Sequence, residues 1–431
     1  MTELRGPKFE IPRSFRKESP RKRREILMRA VAEEPREWRL LSPTEEVSDL
    51  AEVMVESAIG AIPVPLGVAP NILVDGTLYN VPMAVEEPSV IAAATYIGNL
   101  VSRHGGFRTE ISEPIMTAQV LLEDASATAE KAIEEGEEEI VSAMAPYLAR
   151  MQGRGGGYAG LGLRRLPQSD RLLVEFYIDV RNAMGANIVN SAAEAARPVL
   201  ESLTGGTVLM AILTNAARRR LAKARFELPV STLRRGSRSG IEMAHRIVAA
   251  NNFALEDRDR AVTHNKGIMN GVTSLALATG NDTRAVEAAA HAYAVGAGGY
   301  RGLTDYRVEN ETLVGELELP LALGTVGGAS GFNPVSTLAL RILSINLDRE
   351  VTAGELAGVA VSLGLAQNLA AISALVGEGI QQGHMKLHAK RLAWKAGATG
   401  DEITPLSLEI WEGGVFNVEE ARRLLNLRRK E

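Results

Sequence analysis

No cysteine occurs anywhere in the 431 residues. That excludes a disulfide framework, a thiolate nucleophile and any sulfur-ligated metal, and it makes a cytoplasmic setting the expectation. Aromatic residues supply only 4% of the chain, so its cores have to be packed from small aliphatic side chains. Neither sign of charge prevails. A formal net charge of -5 argues against a chain whose main task is coating nucleic acid. Met1 to Arg24 lacks the apolar run of a secretory signal. The longest apolar stretch, near 358–377, is interrupted by Ser362, Gln367, Asn368 and Ser373. It reads as buried helix, too polar to span a bilayer. What is present is ordinary for a globular protein: 45% apolar, 23% charged, and length enough for two or three domains.

Along the chain, Ser19-Pro20 and Ser42-Pro43 are helix-start signals. The basic residues Arg21 to Arg24 read as a solvated helix face. Short apolar segments at 62–66 and 71–74 read as strands. Glu86-Glu87 then sits between apolar residues ahead of Pro88-Ser89, with Ser89 placed to cap a helix beginning at Val90. From about 111 to 214 strands and helices alternate, which suggests an inserted α+β domain. One long acidic helix is expected over 125–150, and another over 188–203.

Gly155 to Gly160 formally fits G-x-G-x-x-G, yet a helix precedes it and none opens after it, so it is not a Rossmann fingerprint. Asn182 to Asn187 is the better anion cradle, because it leads from a strand into a helix N-terminus with free N–H groups. Further on, Thr263 to Gly271 packs His264, Asn265, Lys266 and Asn270 beside Gly267 and Gly271. This looks like a ligand-holding loop at a helix entry. Asp282 could cap the helix that follows, and 354–363 and 366–376 read as two further helices. His384 and His388 have the spacing of a helical metal pair, but no carboxylate accompanies them, and no metal is expected.

Six segments taken together resemble one family. They are Val85 to Ser89, Ala183 to Asn187, Thr263 to Gly271, Gly280-Asn281-Asp282, Gly364 to Asn368 and Gly383-His384-Met385. In this order and spacing they are similar to the motifs of class II 3-hydroxy-3-methylglutaryl-coenzyme A (HMG-CoA) reductase. The resemblance implies an α+β fold. Its mainly helical large domain, at 1–110 and 216–376, would carry an inserted ferredoxin-like, non-Rossmann cofactor domain at 111–215 and a helical C-terminal flap at 377–431. It implies a homodimer with the active site at its interface, which in class II can assemble as a trimer of dimers. Neither nucleic acid nor membrane is an implied partner.

The implied reaction interconverts HMG-CoA with mevalonate and coenzyme A through two hydride transfers from NADPH or NADH. By resemblance, Lys266 stabilises the oxyanion, Glu87 donates the proton, Asp282 orients the pair and His384 protonates the coenzyme A thiolate. Ser89, Arg260, Asn270 and Asn368 contact the substrate. Asn182, Met184, Gly185, Ala186, Asn187, Asn215 and Arg150 contact the cofactor. His264 is left with a structural role. Asn182 stands where family members commonly carry an acid. No carboxylate occurs in 147–152, where NADH-preferring relatives can place one, so Arg150 and Arg154 favour NADPH, or dual use. Two other readings are a Schiff-base lyase built on Lys266 and a scaffold whose basic N-terminal helix binds nucleic acid.

Overall fold

The computed structural model describes residues 15–28, 44–296, 298–377, 381–414 and 416–429. They fall into two compact units, 1–65 and 66–431. The first contains α1 (Pro20–Met28) and α2 (Glu45–Met54). The expected start at Ser42 lies outside the described residues. Thr44 caps α2, accepting from the Val47 N–H. The basic run is not wholly solvated: Arg23 is buried and pairs with Glu52, donating also to the carbonyls of Phe15 and Ala58.

The second unit opens with a hairpin, β1 (Leu66–Val74) and β2 (Thr77–Ala84). Asp75-Gly76, both at positive φ, form its turn. Residues 62–65, expected as strand, lie outside it. Next come α3 (Val90–Ser102), packed on β1, and the short β3 (Arg108–Ile111).

The inserted layer then runs β4 (Ile115–Glu123), α4 (Ala129–Glu135), α5 (Glu137–Gln152), β5 (Gly157–Arg165), β6 (Leu172–Asp179), α6 (Ala186–Ala195), α7 (Arg197–Thr204) and β7 (Thr207–Leu213). Its antiparallel sheet has the order β5-β6-β4-β7. That is the ferredoxin-like arrangement, with two helical crossovers. Alternate residues of β4 and β6 (Met116, Ala118, Val120; Val174, Phe176, Ile178) are buried in one core with Ile140, Met144 and Leu148 of α5. The single helix expected over 125–150 is broken at Gly136, where a Cβ would meet Leu203 at 2.6 Å. The one expected over 188–203 divides at Ala196.

The chain returns through β8 (Leu221–Pro229), α8 (Gly240–Glu256), α9 (Arg258–Ala278), α10 (Thr283–Tyr293), β9 (Thr304–Glu309), β10 (Thr312–Pro320) and α11 (Pro334–Leu343). Strands β9-β10-β8-β3 form a second antiparallel sheet. The last long element is α12 (Ala353–Val376), one continuous helix where two were expected. Thr352 and Glu355 close a capping box at its start. Among the described residues it is the one helix long and apolar enough to cross a membrane. Here it is the axis of the main core, packed on α3, α8, α9 and the β8–β10 sheet. A third small core unites α13 (Gln381–Lys395), α14 (Ile403–Gly413) and α15 (Val418–Arg428).

The Lys266 segment is the main departure from expectation. Thr263 to Gly271 is the middle of α9, a 21-residue helix capped by Asp257, which accepts from the Arg260 N–H at 2.7 Å. Gly267 faces open space, so its lack of a side chain is not required by packing. Gly271 is different. A Cβ there would come within 2.8 Å of the Leu363 carbonyl oxygen, so this glycine lets α9 lie directly against α12.

Candidate active site

The helical register explains why these residues belong together. Arg260, Thr263, Gly267 and Asn270 recur at spacings of three and four, so α9 presents them along one face. That face lines a cavity of about 430 Å3 whose other walls include Glu87 and Ser89 before α3 and Gln367 and Asn368 on α12. Lys266 flanks the stripe, and its Nζ donates to Glu87 Oε2 at 3.2 Å across 179 residues of sequence. The two side chains are 60% and 41% exposed. So open an ion pair adds little stability.

Ser89 does not do what local sequence suggests. It occupies the cap position of α3 but makes no capping hydrogen bond, and its φ of 75° is left-handed. A serine held in that conformation, with its hydroxyl not spent on the helix, is suited to a ligand.

His264 is buried behind the stripe. Its Nε2 lies 2.6 Å from Thr304 Oγ1 and 3.1 Å from Asn368 Nδ2. Burial, with Arg260 adding repulsion, lowers its pKa to about 4. It is a neutral structural imidazole near pH 7, in line with the role expected for it. Asn368 lines the cavity with its amide held in place, donating to His264 and accepting from Tyr306 Oη at 3.0 Å. Its neighbour Gln367, which sequence reasoning passed over, lines the same cavity and has a buried Oε1 with no partner among the described residues.

A second cavity, of about 530 Å3, is lined by Ala183 to Ile188, Asp282, Gly324 and Val326 to Gly328. Gly185 caps α6 at φ 93° without a side-chain bond, leaving the first-turn N–H groups facing outward. At Gly185 a Cβ would strike Val180 at 2.5 Å, and at Gly324 it would collide with the Met184 backbone nitrogen. Glycine at these two positions lets the wall of the cavity pack tightly, the 183–185 turn onto Val180 and the Gly324 backbone onto that turn. Asn281, whose part was not legible beforehand, clasps Gly324 in both directions, donating to its carbonyl at 3.1 Å and accepting from its N–H at 2.7 Å.

Asp282 belongs to this second cavity. It caps α10 by accepting from the N–H groups of Arg284 and Ala285 and has no hydrogen bond to Lys266 or Glu87 among the described residues. The adjoining Thr283 and Arg284 do line a further space, of about 500 Å3, shared with Glu87 and Lys266.

Three expected cofactor contacts are not brought there. Asn182 Oδ1 accepts from the Ala353 N–H at 3.0 Å, at the start of α12. Arg150 is exposed on the last turn of α5, and Asn215 is exposed in the turn after β7. Arg154 is exposed too. His384 falls within α13, but its side chain lies outside the described residues, as do residues 378–380 of the expected hinge. No cluster of metal-ligating side chains occurs among the described residues.

A family model described as hydroxymethylglutaryl-coenzyme A reductase matches residues 19–389. The 3-hydroxy-3-methylglutaryl-coenzyme A reductase of Archaeoglobus fulgidus is 42% identical over 384 residues, covering 88% of this chain and 85% of that protein. A probable reductase of the same description from Borreliella burgdorferi is 33% identical over 382 residues, covering 88% and 87%. Among solved structures, the Streptococcus pneumoniae reductase superposes with a TM-score of 0.74 at 39% identity, covering 96% of this chain and 99% of that one. The class II enzyme of the same organism, bound to NADPH in open conformations, gives 0.73 at 38% identity, covering 96% and 100%. The chain belongs to the hydroxymethylglutaryl-coenzyme A reductase family, in its class II.

Proposed function

We propose that the protein reduces HMG-CoA to mevalonate and free coenzyme A, and that Lys266 and Glu87 are the centre of that chemistry. The observation that carries this reading is their 3.2 Å contact at the edge of a cavity lined by Arg260, Ser89 and Asn270. Converting a thioester to an alcohol and a thiol takes two hydrides and two protons. Reduced nicotinamide supplies the hydrides when bound. The chain's own groups have to manage charge and protons.

As hydride reaches the thioester carbonyl, negative charge gathers on its oxygen, and the Lys266 ammonium offsets it. Groups aimed at such an oxyanion typically contribute about 3–4 kcal/mol. Glu87, adjoining the ammonium, passes a proton to the reduced oxygen. The hemithioacetal then returns its hydroxyl proton to Glu87 as it expels the coenzyme A thiolate, which His384 protonates from the C-terminal helices, and the aldehyde takes up the second hydride together with that proton from Glu87. Arg260 suits the free carboxylate of the substrate, since a guanidinium binds carboxylate in a planar fork.

The second cavity suits the phosphates of a dinucleotide, because N–H groups at the start of α6 carry no side-chain cap beside a space of about 530 Å3. The solved relative bound to NADPH supports that cofactor. Residues 147–152 carry no acid to repel a 2′-phosphate, so this chain takes NADPH, with NADH as a second donor. Because Asp282 lies in the dinucleotide cavity and apart from Lys266, we assign its orienting role to a homodimer. In that arrangement Asp282 of one copy meets the Lys266–Glu87 pair of the other.

The test is HMG-CoA-dependent oxidation of NADPH and NADH by wild type and Lys266→Ala. Wild type turns over, while K266A keeps its fold and loses at least about 100-fold in kcat. A K266A rate equal to wild type would overturn the role given to Lys266.

A further inference from the structure

Arg220 stands in the turn before β8 and is only 5% exposed. A buried cation ordinarily needs a carboxylate partner. Among the described residues none lies within ion-pair distance of this one. Its guanidinium instead donates to three carbonyls. Nη1 reaches Ala183 at 3.1 Å and Met184 at 3.4 Å, and Nη2 reaches Leu323. Burial lowers its pKa to about 10, so it remains a cation at neutral pH.

The three carbonyls come from the two segments that wall the dinucleotide cavity. Those segments are also joined by Asn182, whose carbonyl accepts from the N–H groups of Thr325 and Val326, and by Asn281 clasping Gly324. Arg220 is the one charged clasp in the set. It acts from behind: it lines a separate cavity of about 200 Å3 with Arg181 and Asn182, whereas Met184 and Gly185 line the larger one. The peptide bonds of the described residues are all trans, so C=O and N–H of each unit point in opposite directions. Carbonyls of 183 and 184 held toward Arg220 therefore send the N–H groups of Met184 and Gly185 the other way. The Gly185 N–H has no acceptor among the described residues.

We propose that Arg220 is a positioning residue for the dinucleotide. By holding three carbonyls from the rear, its guanidinium sets the amide groups that receive the cofactor and ties the cofactor loop to the 321–328 segment. It touches neither substrate nor reacting atoms. A lysine at this position keeps the charge but loses the planar fork that reaches both segments. The inference rests on the reading of the 530 Å3 cavity as the dinucleotide site.

The experiment uses the full chain as wild type, Arg220→Met and Arg220→Lys. NADPH binding is read directly by nucleotide fluorescence without turnover, and KM is measured separately for NADPH and HMG-CoA. R220M weakens NADPH binding about tenfold or more, while KM for HMG-CoA stays within about twofold. R220K falls between, and free guanidinium restores part of the binding in Arg220→Ala. If R220M does not fold, the NADPH-selective shift of R220K decides the matter. Wild-type affinity for NADPH in both variants, or equal change in both KM values, overturns the inference while leaving the proposed reductase activity standing. Wild-type protein that neither binds NADPH nor reduces HMG-CoA overturns the reading of the cavity, and the inference with it.

Discussion

Two glycines one turn apart on α9 should respond to the same substitution with opposite sign. At Gly267 a Cβ meets nothing within 4 Å; at Gly271 it comes within 2.8 Å of the Leu363 oxygen, 3.1 Å of its carbonyl carbon and 3.3 Å of Gln367 Cβ. Alanine is preferred over glycine in a helix interior by about 1 kcal/mol. Gly267→Ala therefore gains up to about that much, with nothing to oppose it. Gly271→Ala gains the same propensity, but backbone cannot move aside as a side-chain tip does, so α9 and α12 must part. Overpacking of this kind costs about 1–3 kcal/mol, leaving a net loss of up to about 2 kcal/mol after the propensity gain.

The difference between the two variants isolates the packing cost. It should appear in thermal unfolding as a gap of several degrees, G267A at or above wild type and G271A below it. Since α9 carries Arg260 and Lys266 while α12 carries Gln367, G271A should also raise KM for HMG-CoA. A G271A protein as stable as G267A would refute the account of the helix crossing.

Glu316 lies among Lys223, Arg225 and Arg307 at 2.7–3.0 Å. Burial pushes its pKa up, but the three hydrogen-bonded cations outweigh burial and bring it down to about 2. The stabilisation is fully present above pH 4.5 and lost as pH falls toward 2, so Glu316→Gln should cost about 3 kcal/mol at pH 7. In urea titrations that gap closes on acidification. His264 titrates near 4 in the fold, so the unfolded chain takes up its proton first and wild type loses stability from pH 6.5 down to 4. His264→Gln should flatten that slope. Arg150→Ala with Arg154→Ala should lower kcat/KM for NADPH and spare NADH. Equal losses with both would remove the 2′-phosphate role from these arginines.

Three strands of the inserted sheet, β4, β6 and β7, were readable from their apolar runs, whereas the glycine-rich β5 was not. The helical course of Thr263 to Gly271 was not. Glycine, histidine, asparagine and threonine are indifferent helix formers, and it is packing against α12 that overrides them. Lys266 and Glu87 were legible as partners only through the company of the other motifs, since 179 residues separate them. That Asp282 stands in a different cavity could not be read from motif order, which carries no distances. Arg220 was hidden for a different reason. It ends the run Ala217-Arg218-Arg219-Arg220, where sequence alone gives no sign that the last arginine turns inward while its neighbours stay exposed.

The central position of α12 also bears on how the chain is made. The inserted layer is contiguous, and its core draws mainly on residues 116–217, so it can assemble while synthesis continues. The main core cannot. Its walls, α3, α8, α9 and the second sheet, all precede the helix they surround, and 16 of its 24 residues are buried. Until residue 376 has left the ribosome these apolar surfaces have no common axis to close upon. Over that interval the unclosed main core is the part exposed to aggregation and to chaperone capture.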